Sequence, residues 1–234
     1  MGRDRPPSIR RLGPVTQPLM IASTYQLFLF DFDGTLADSG AWMVGALRQM
    51  ADRHRFRKPT DSEIDYLRGL SNREILKWLG IPGWRLPFIA RDMRKLAGTA
   101  TVELFPSTEK LLSELAAQGV SLAIVSSNSR VNIERALGPS AGLFTHFECG
   151  ASLFGKGKRI RRVLRATGRA PAEAIVVGDE VRDVEAAASQ GVASAAVTWE
   201  YARREALEAA SPTHLVETAD DLVRLARAKG QSQS

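Results

Sequence analysis

Two aspartates, Asp31 and Asp33, stand at the end of a run rich in Leu and Phe in QLFLFDFDGTLAD, Gln26 to Asp38. A carboxylate at the edge of an apolar core costs several kcal/mol unless something pairs with it, so residues of this type at this place need a partner. Further along, Val120 to Val125 runs into Ser126-Ser127-Asn128, and Ala174 to Val177 runs into Gly178-Asp179-Glu180, with Asp183 close behind. Between them FGKGKR offers Lys156 and Lys158. Three or four carboxylates, a hydroxyl and a lysine suit one kind of chemistry. A hard divalent cation such as Mg²⁺ takes oxygen ligands and bridges to phosphate. A carboxylate can act as a phosphoryl acceptor, a second can serve as general acid and base, and a hydroxyl and a lysine can bind phosphoryl oxygens.

The elements that would bring these residues together are legible in the apolar pattern. Short, continuously apolar runs such as Leu27 to Phe30 predict strands buried on both faces. Further strands are expected at Val120 to Val125, Ala174 to Val177 and Val192 to Thr198, with a weak one at Phe144 to Cys149 and an edge strand at His214 to Glu217. Helical patterns separate them at Thr108 to Gln118, Arg130 to Leu137, Lys156 to Ala166 and Val181 to Ser189. Strand and helix alternation predicts an α/β fold, a parallel sheet covered on both faces in three layers. In such sheets the active site lies at the carboxyl ends of the strands. Asp31 and Asp33, Ser126, and Asp179 with Asp183 all fall where strands end.

From Asp38 to about residue 103 the strand signal disappears. Helical spacing covers Ala41 to Arg53, and Thr60 with Glu63 and Ser71 with Glu74 have the spacing of capping boxes. A further helix is expected over Leu86 to Leu96. This predicts a small helical cap, 39–103, inserted into an α/β core of 20–38 and 104–234, after a basic tail of 1–19 expected to be disordered. Met20, just before the first strand, is an alternative start.

DFDGTLAD, the Ser126 strand end, the downstream lysine and GDEVRD, in that order, resemble the haloacid dehalogenase superfamily of phosphohydrolases over about Leu27 to Thr198. The helical insertion resembles the cap shared by phosphoglycolate phosphatase and beta-phosphoglucomutase, on a Rossmann-like core. The resemblance implies Asp31 as the nucleophile that becomes an aspartyl phosphate and Asp33 as general acid and base. It implies Mg²⁺ held by the Asp31 carboxylate, the Asp33 backbone carbonyl and Asp179, with Asp183 supporting the metal. Glu180 adds an acid whose role stays open. Ser126 is implied as the phosphate-binding hydroxyl, with Ser127 as the alternative, and Gly34 and Asn128 lie beside substrate. Lys156 is preferred over Lys158, although the proline the family usually carries near this lysine is missing. In the cap, LRGLSNRE resembles a specificity loop, in which Arg68 would meet a distal anion.

These residues imply a Mg²⁺-dependent phosphatase acting on a small phosphorylated metabolite, with phosphoglycolate suggested by resemblance. Asp33 argues against a dehalogenase, which needs no leaving-group acid, and against a phosphonatase, which replaces it. A phosphomutase and a catalytically silent binding protein are the alternatives. Of the net charge of +6, Arg3, Arg5, Arg10 and Arg11 against Asp4 put +3 in the tail, which leaves too little on the body to argue for nucleic acid. No apolar run approaches the roughly 20 residues a bilayer requires. The single cysteine, Cys149, fits a reducing cytoplasm. Monomer and homodimer stay equally open.

Overall fold

The computed structural model describes residues 25–150, 155–200 and 202–226. The expected tail, 1–19, lies outside them. The first strand, β1 (Leu27–Phe30), is completely buried, and its alternation divides the core. Phe28 and Phe30 point to one face, where they meet Leu111, Leu112 and Leu115. Leu27 and Leu29 point to the other, against Ile160, Val163, Leu164 and Ala187. Each such side chain contributes roughly 1.5–3 kcal/mol when fully buried. With two covered faces, β1 has to lie inside the sheet.

After β1 the chain forms β2 (Ala37–Asp38) and then four helices, α1 (Gly40–His54), α2 (Asp61–Leu67), α3 (Asn72–Trp78) and α4 (Leu86–Gly98). Both expected capping boxes form. The Thr60 amide donates to Glu63 Oε2 at 2.9 Å and the Ser71 amide to Glu74 Oε2 at 2.9 Å. The chain then returns through β3 (Glu103–Leu104), which pairs antiparallel with β2. This two-stranded stem was not expected from the sequence; at two residues a strand it is too short to carry a periodic signal. The Phe105 amide and Thr108 Oγ1 both donate to the Leu36 carbonyl, at 3.0 and 2.7 Å, fixing the point of return.

The remaining elements alternate: α5 (Thr108–Ala117), β4 (Ser121–Val125), α6 (Arg130–Leu137), β5 (Phe144–Glu148), α7 (Lys156–Thr167), β6 (Ala174–Gly178), α8 (Val181–Ala188), β7 (Ala193–Val197), α9 (Arg204–Ala209), β8 (His214–Val216) and α10 (Ala219–Ala226). The six-stranded sheet has the order β5-β4-β1-β6-β7-β8 and all its pairs are parallel. Helices α5 and α10 cover one face, α7 and α8 the other. The weak strand expected at Phe144 pairs with β4 across a register shift between Leu122 and Ala123, and β8 forms the opposite edge. Among the described residues no helix is long and apolar enough to cross a membrane.

Candidate active site

Strands β1, β4 and β6 are neighbours, so their carboxyl ends form one rim. Asp31 is the first residue past β1, and its amide still continues the ladder, donating to the Val177 carbonyl at 2.8 Å. The chain then turns tightly: the Phe32 carbonyl accepts from the amides of Leu36 and Ala37, both at 3.0 Å. Gly34 makes the turn with φ +74°, and a Cβ there would lie 2.1 Å from Asp179 Oδ2. Only glycine fits both the left-handed backbone and the close approach.

Asp179 follows β6 and is 1% exposed. Its Oδ1 accepts from Thr35 Oγ1 at 2.9 Å, tying the two strand ends together. Asp183 stands in the first turn of α8, where its Oδ2 accepts from the Glu180 amide at 3.2 Å. It packs so closely over the end of β6 that a Cβ on Gly178 would lie 2.1 Å from Asp183 Oδ2. Carboxylate oxygens of Asp31, Asp179 and Asp183 all lie within 4.8 Å of one another. Lys156, at the start of α7, reaches into this group and donates to Asp31 Oδ2 and Asp183 Oδ1, both at 2.6 Å. Lys158 is exposed. A side chain two positions along a helix points away from its neighbour's face.

The electrostatics follow from burial. Burial pushes the Asp31 carboxyl up, but Lys156 and Arg182 outweigh it and hold it below the ordinary carboxylate range. Burial also drives Asp179 well above that range, and the charges of Glu180, Asp183 and Asp31 drive it further. Asp33 is pushed up to about 6 by burial and by the charge on Asp31. The four acids Asp31, Asp179, Glu180 and Asp183 face two cations, Lys156 and Arg182. With all four acids ionised, two negative charges would be left over on a set of oxygen donors. The donor set therefore fits a hard divalent cation such as Mg²⁺.

The other residues singled out in the sequence surround this centre. Asp33 turns its carboxylate to Asn128 Nδ2, at 3.1 and 3.2 Å. Asn128 Oδ1 accepts from Asn132 Nδ2 at 3.1 Å, and the same amide nitrogen donates to the Ala97 carbonyl at the end of α4. Ser126 is fully buried and its Oγ accepts from the Asn128 amide at 3.2 Å. Ser127 lines a cavity of about 510 Å³ together with Asp31 and Lys156. Arg68 lines the same cavity and donates to the Glu200 carbonyl at 2.6 Å. Glu180 also lines it, paired with Arg182 Nη2 at 2.8 Å.

Three arginines of this cavity were not singled out as site residues: Arg73, Arg159 and Arg182. Arg159 is buried. It donates Nη1 to the Ser126 carbonyl at 2.9 Å and Nη2 to the Gly150 carbonyl. Its place one turn after Lys156 was the available signal, since positions i and i+3 share a helix face.

Residues 28–197 match the family described as haloacid dehalogenase-like hydrolase. A phosphoglycolate phosphatase of Synechococcus elongatus is 34% identical over 203 residues, 85% of this chain and 96% of that protein. A Mycobacterium tuberculosis protein named tyrosine-protein kinase PtkA is 30% identical over 202 residues, 80% of this chain and 67% of that one. Among solved structures, a predicted phosphatase from Clostridium acetobutylicum superposes with a TM-score of 0.75 at 22% identity, covering 86% of this chain and 98% of the other. That last likeness concerns the fold.

Proposed function

The chain belongs to the haloacid dehalogenase-like hydrolase family as a phosphatase, and from that premise we propose that it hydrolyses a small phosphate monoester through an aspartyl-phosphate intermediate with Mg²⁺ as cofactor. The observation that carries the reading is the convergence of Asp31, Asp179 and Asp183 with Lys156 at one sheet edge. Mg²⁺ would be held by Asp31, Asp179 and the Asp33 backbone carbonyl, with Asp183 in support. When bound, it supplies positive charge against the phosphoryl oxygens.

In this reading a carboxylate oxygen of Asp31 attacks phosphorus and forms a P–O bond, while the bond from phosphorus to the leaving oxygen breaks with its electron pair on that oxygen. Asp33 gives the departing oxygen its proton. It then takes a proton from the water that attacks the aspartyl phosphate, releasing phosphate and restoring Asp31. A carboxyl pushed up to about 6 suits both duties near neutral pH. Lys156 balances the charge of Asp31 throughout. Ser126, with Ser127 as the alternative, would bind a phosphoryl oxygen. The helical segment from α1 to α4 would act as a cap, bringing Arg68 to the substrate's far end.

The substrate we favour is phosphoglycolate or a similarly small acid. The similarity to the cyanobacterial phosphatase supports it, as does a cavity lined by several arginines. The test is turnover of an aryl phosphate and of a panel of phosphorylated metabolites in Mg²⁺. Asp31→Asn should abolish turnover while the protein stays folded, and retained activity overturns the reading. Interconversion of sugar phosphate isomers without phosphate release would favour a mutase. Labelling of an added protein by ATP would move the reading towards the kinase named for the mycobacterial relative.

A further inference from the structure

We propose that Arg182 is a substrate-contacting residue, a mobile cation that Glu180 holds beside the nucleophile until a phosphoryl dianion draws it across. The inference rests on the phosphatase reading above and adds a residue to it. Arg182 stands in the first turn of α8 and lines the same cavity as Asp31. Its Nη2 lies 2.8 Å from Glu180 Oε1 and 3.8 Å from Asp31 Oδ2. The nearer partner holds it and the farther one is the nucleophile. Its Nε is buried and, among the described residues, has no hydrogen-bond partner. A guanidinium left with an unmet donor at the wall of a cavity is poised for an acceptor that arrives with a ligand.

The demand for a second cation comes from Lys156. That ammonium already donates to Asp31 Oδ2 and Asp183 Oδ1 at 2.6 Å each. One cation bonded twice within the protein is poorly placed to answer a group that brings two further negative charges and three acceptor oxygens. Arginine presents a planar fork of donors matched to phosphate geometry. Moving from Glu180 towards a phosphoryl group over Asp31, Arg182 would use both the fork and the unmet Nε. The competing account makes Arg182 only a counter-charge for Asp31 and Glu180, contributing to folding and not to ligand binding.

Calorimetric titration of inorganic phosphate into the Mg²⁺-loaded full chain separates the two. Arg182→Ala should weaken phosphate binding tenfold or more, and millimolar guanidinium should restore part of its lost turnover. Arg182→Lys keeps the charge without the fork and should still lose several-fold in phosphate affinity. Glu180→Gln releases the arginine and should tighten phosphate binding, and weaker binding in this variant overturns the inference. Phosphate affinity within twofold of wild type in Arg182→Lys, or in a folded Arg182→Ala, overturns the inference and leaves the phosphatase reading intact. Should the wild type neither bind phosphate nor turn over an aryl phosphate, the phosphatase reading fails first and this one with it.

Discussion

Asp33 is two residues from Asp31, yet its surroundings give it the opposite protonation tendency. Asp31 has Lys156 at 2.6 Å and is held low. Among the described residues Asp33 has no cation that close; it is half-buried, faces the charge of Asp31 and is raised to about 6. Two carboxylates with pKa values pushed apart suit two roles, nucleophile and acid. Replacing Asp33 by Ala is expected to cost roughly 10²–10⁴ in turnover of an alkyl phosphate, the usual share of general acid–base catalysis. The loss should be much smaller for an aryl phosphate whose leaving group needs no proton. Equal losses on both substrates would remove Asp33 from the protonation step. Residues of this kind were legible in the sequence because acids at the end of an apolar run conflict with their surroundings. Arg182 was not, because an arginine beside acids in GDEVRD reads as an ordinary charge pair until the fold shows where its side chain goes.

At the scale of elements, strands and capped helices could be read from the sequence, and the contacts that lock one element to another could not. Leu27 to Phe30 and Ala174 to Val177 are continuous apolar runs, and Thr60–Glu63 and Ser71–Glu74 are local signals complete within four residues. The ion cluster around the buried Asp92 that joins α1 to α4 has no such signature, since its members on the two helices lie about forty residues apart. Asp92 on α4 is 4% exposed and meets Arg53 Nε at 2.9 Å and His54 Nε2 at 3.2 Å from α1, with Arg91 Nε at 3.1 Å. Burial pushes the Asp92 carboxyl up, but its hydrogen bond to Arg91 and the charges of Arg53, Arg91 and His54 bring it below its ordinary value. A carboxyl lowered on folding stabilises the folded state above the unfolded value of about 3.9. That stability is lost as pH falls through the lower, folded value. Asp92→Asn should therefore melt below wild type at pH 7, with the gap closing at pH 3 and below. A gap independent of pH would assign the effect to packing alone. Because the cluster lies within the helical insertion, phosphate binding at the sheet edge should change little.

The molecule as a whole sets three buried acids, Asp31, Asp179 and Asp183, and the half-buried Glu180 against two cations where β1, β6 and α8 meet. Ionising all four acids would leave two negative charges in excess and oppose folding, so a divalent cation bound there, as proposed above, would link metal binding to stability. A ligand that binds only the folded state at one hundred times its Kd adds about 2.7 kcal/mol. For a chain of this size each kcal/mol raises Tm by about 2–4 °C. Saturating Mg²⁺ is thus expected to raise Tm by roughly 5–10 °C, and a chelator to reverse the rise. Asp179→Asn gives the sharper test because its two effects have opposite signs. The amide takes away a carboxyl whose ionisation burial and its acidic neighbours oppose, while its oxygen can still accept from Thr35 Oγ1, which donates to Asp179 Oδ1 at 2.9 Å. Without metal the variant should melt at or above the wild-type temperature, and with Mg²⁺ it should gain little and fall below the loaded wild type. A variant that melts lower without metal and still gains fully from Mg²⁺ would show that Asp179 stabilises the sheet edge by packing and that the cation binds elsewhere.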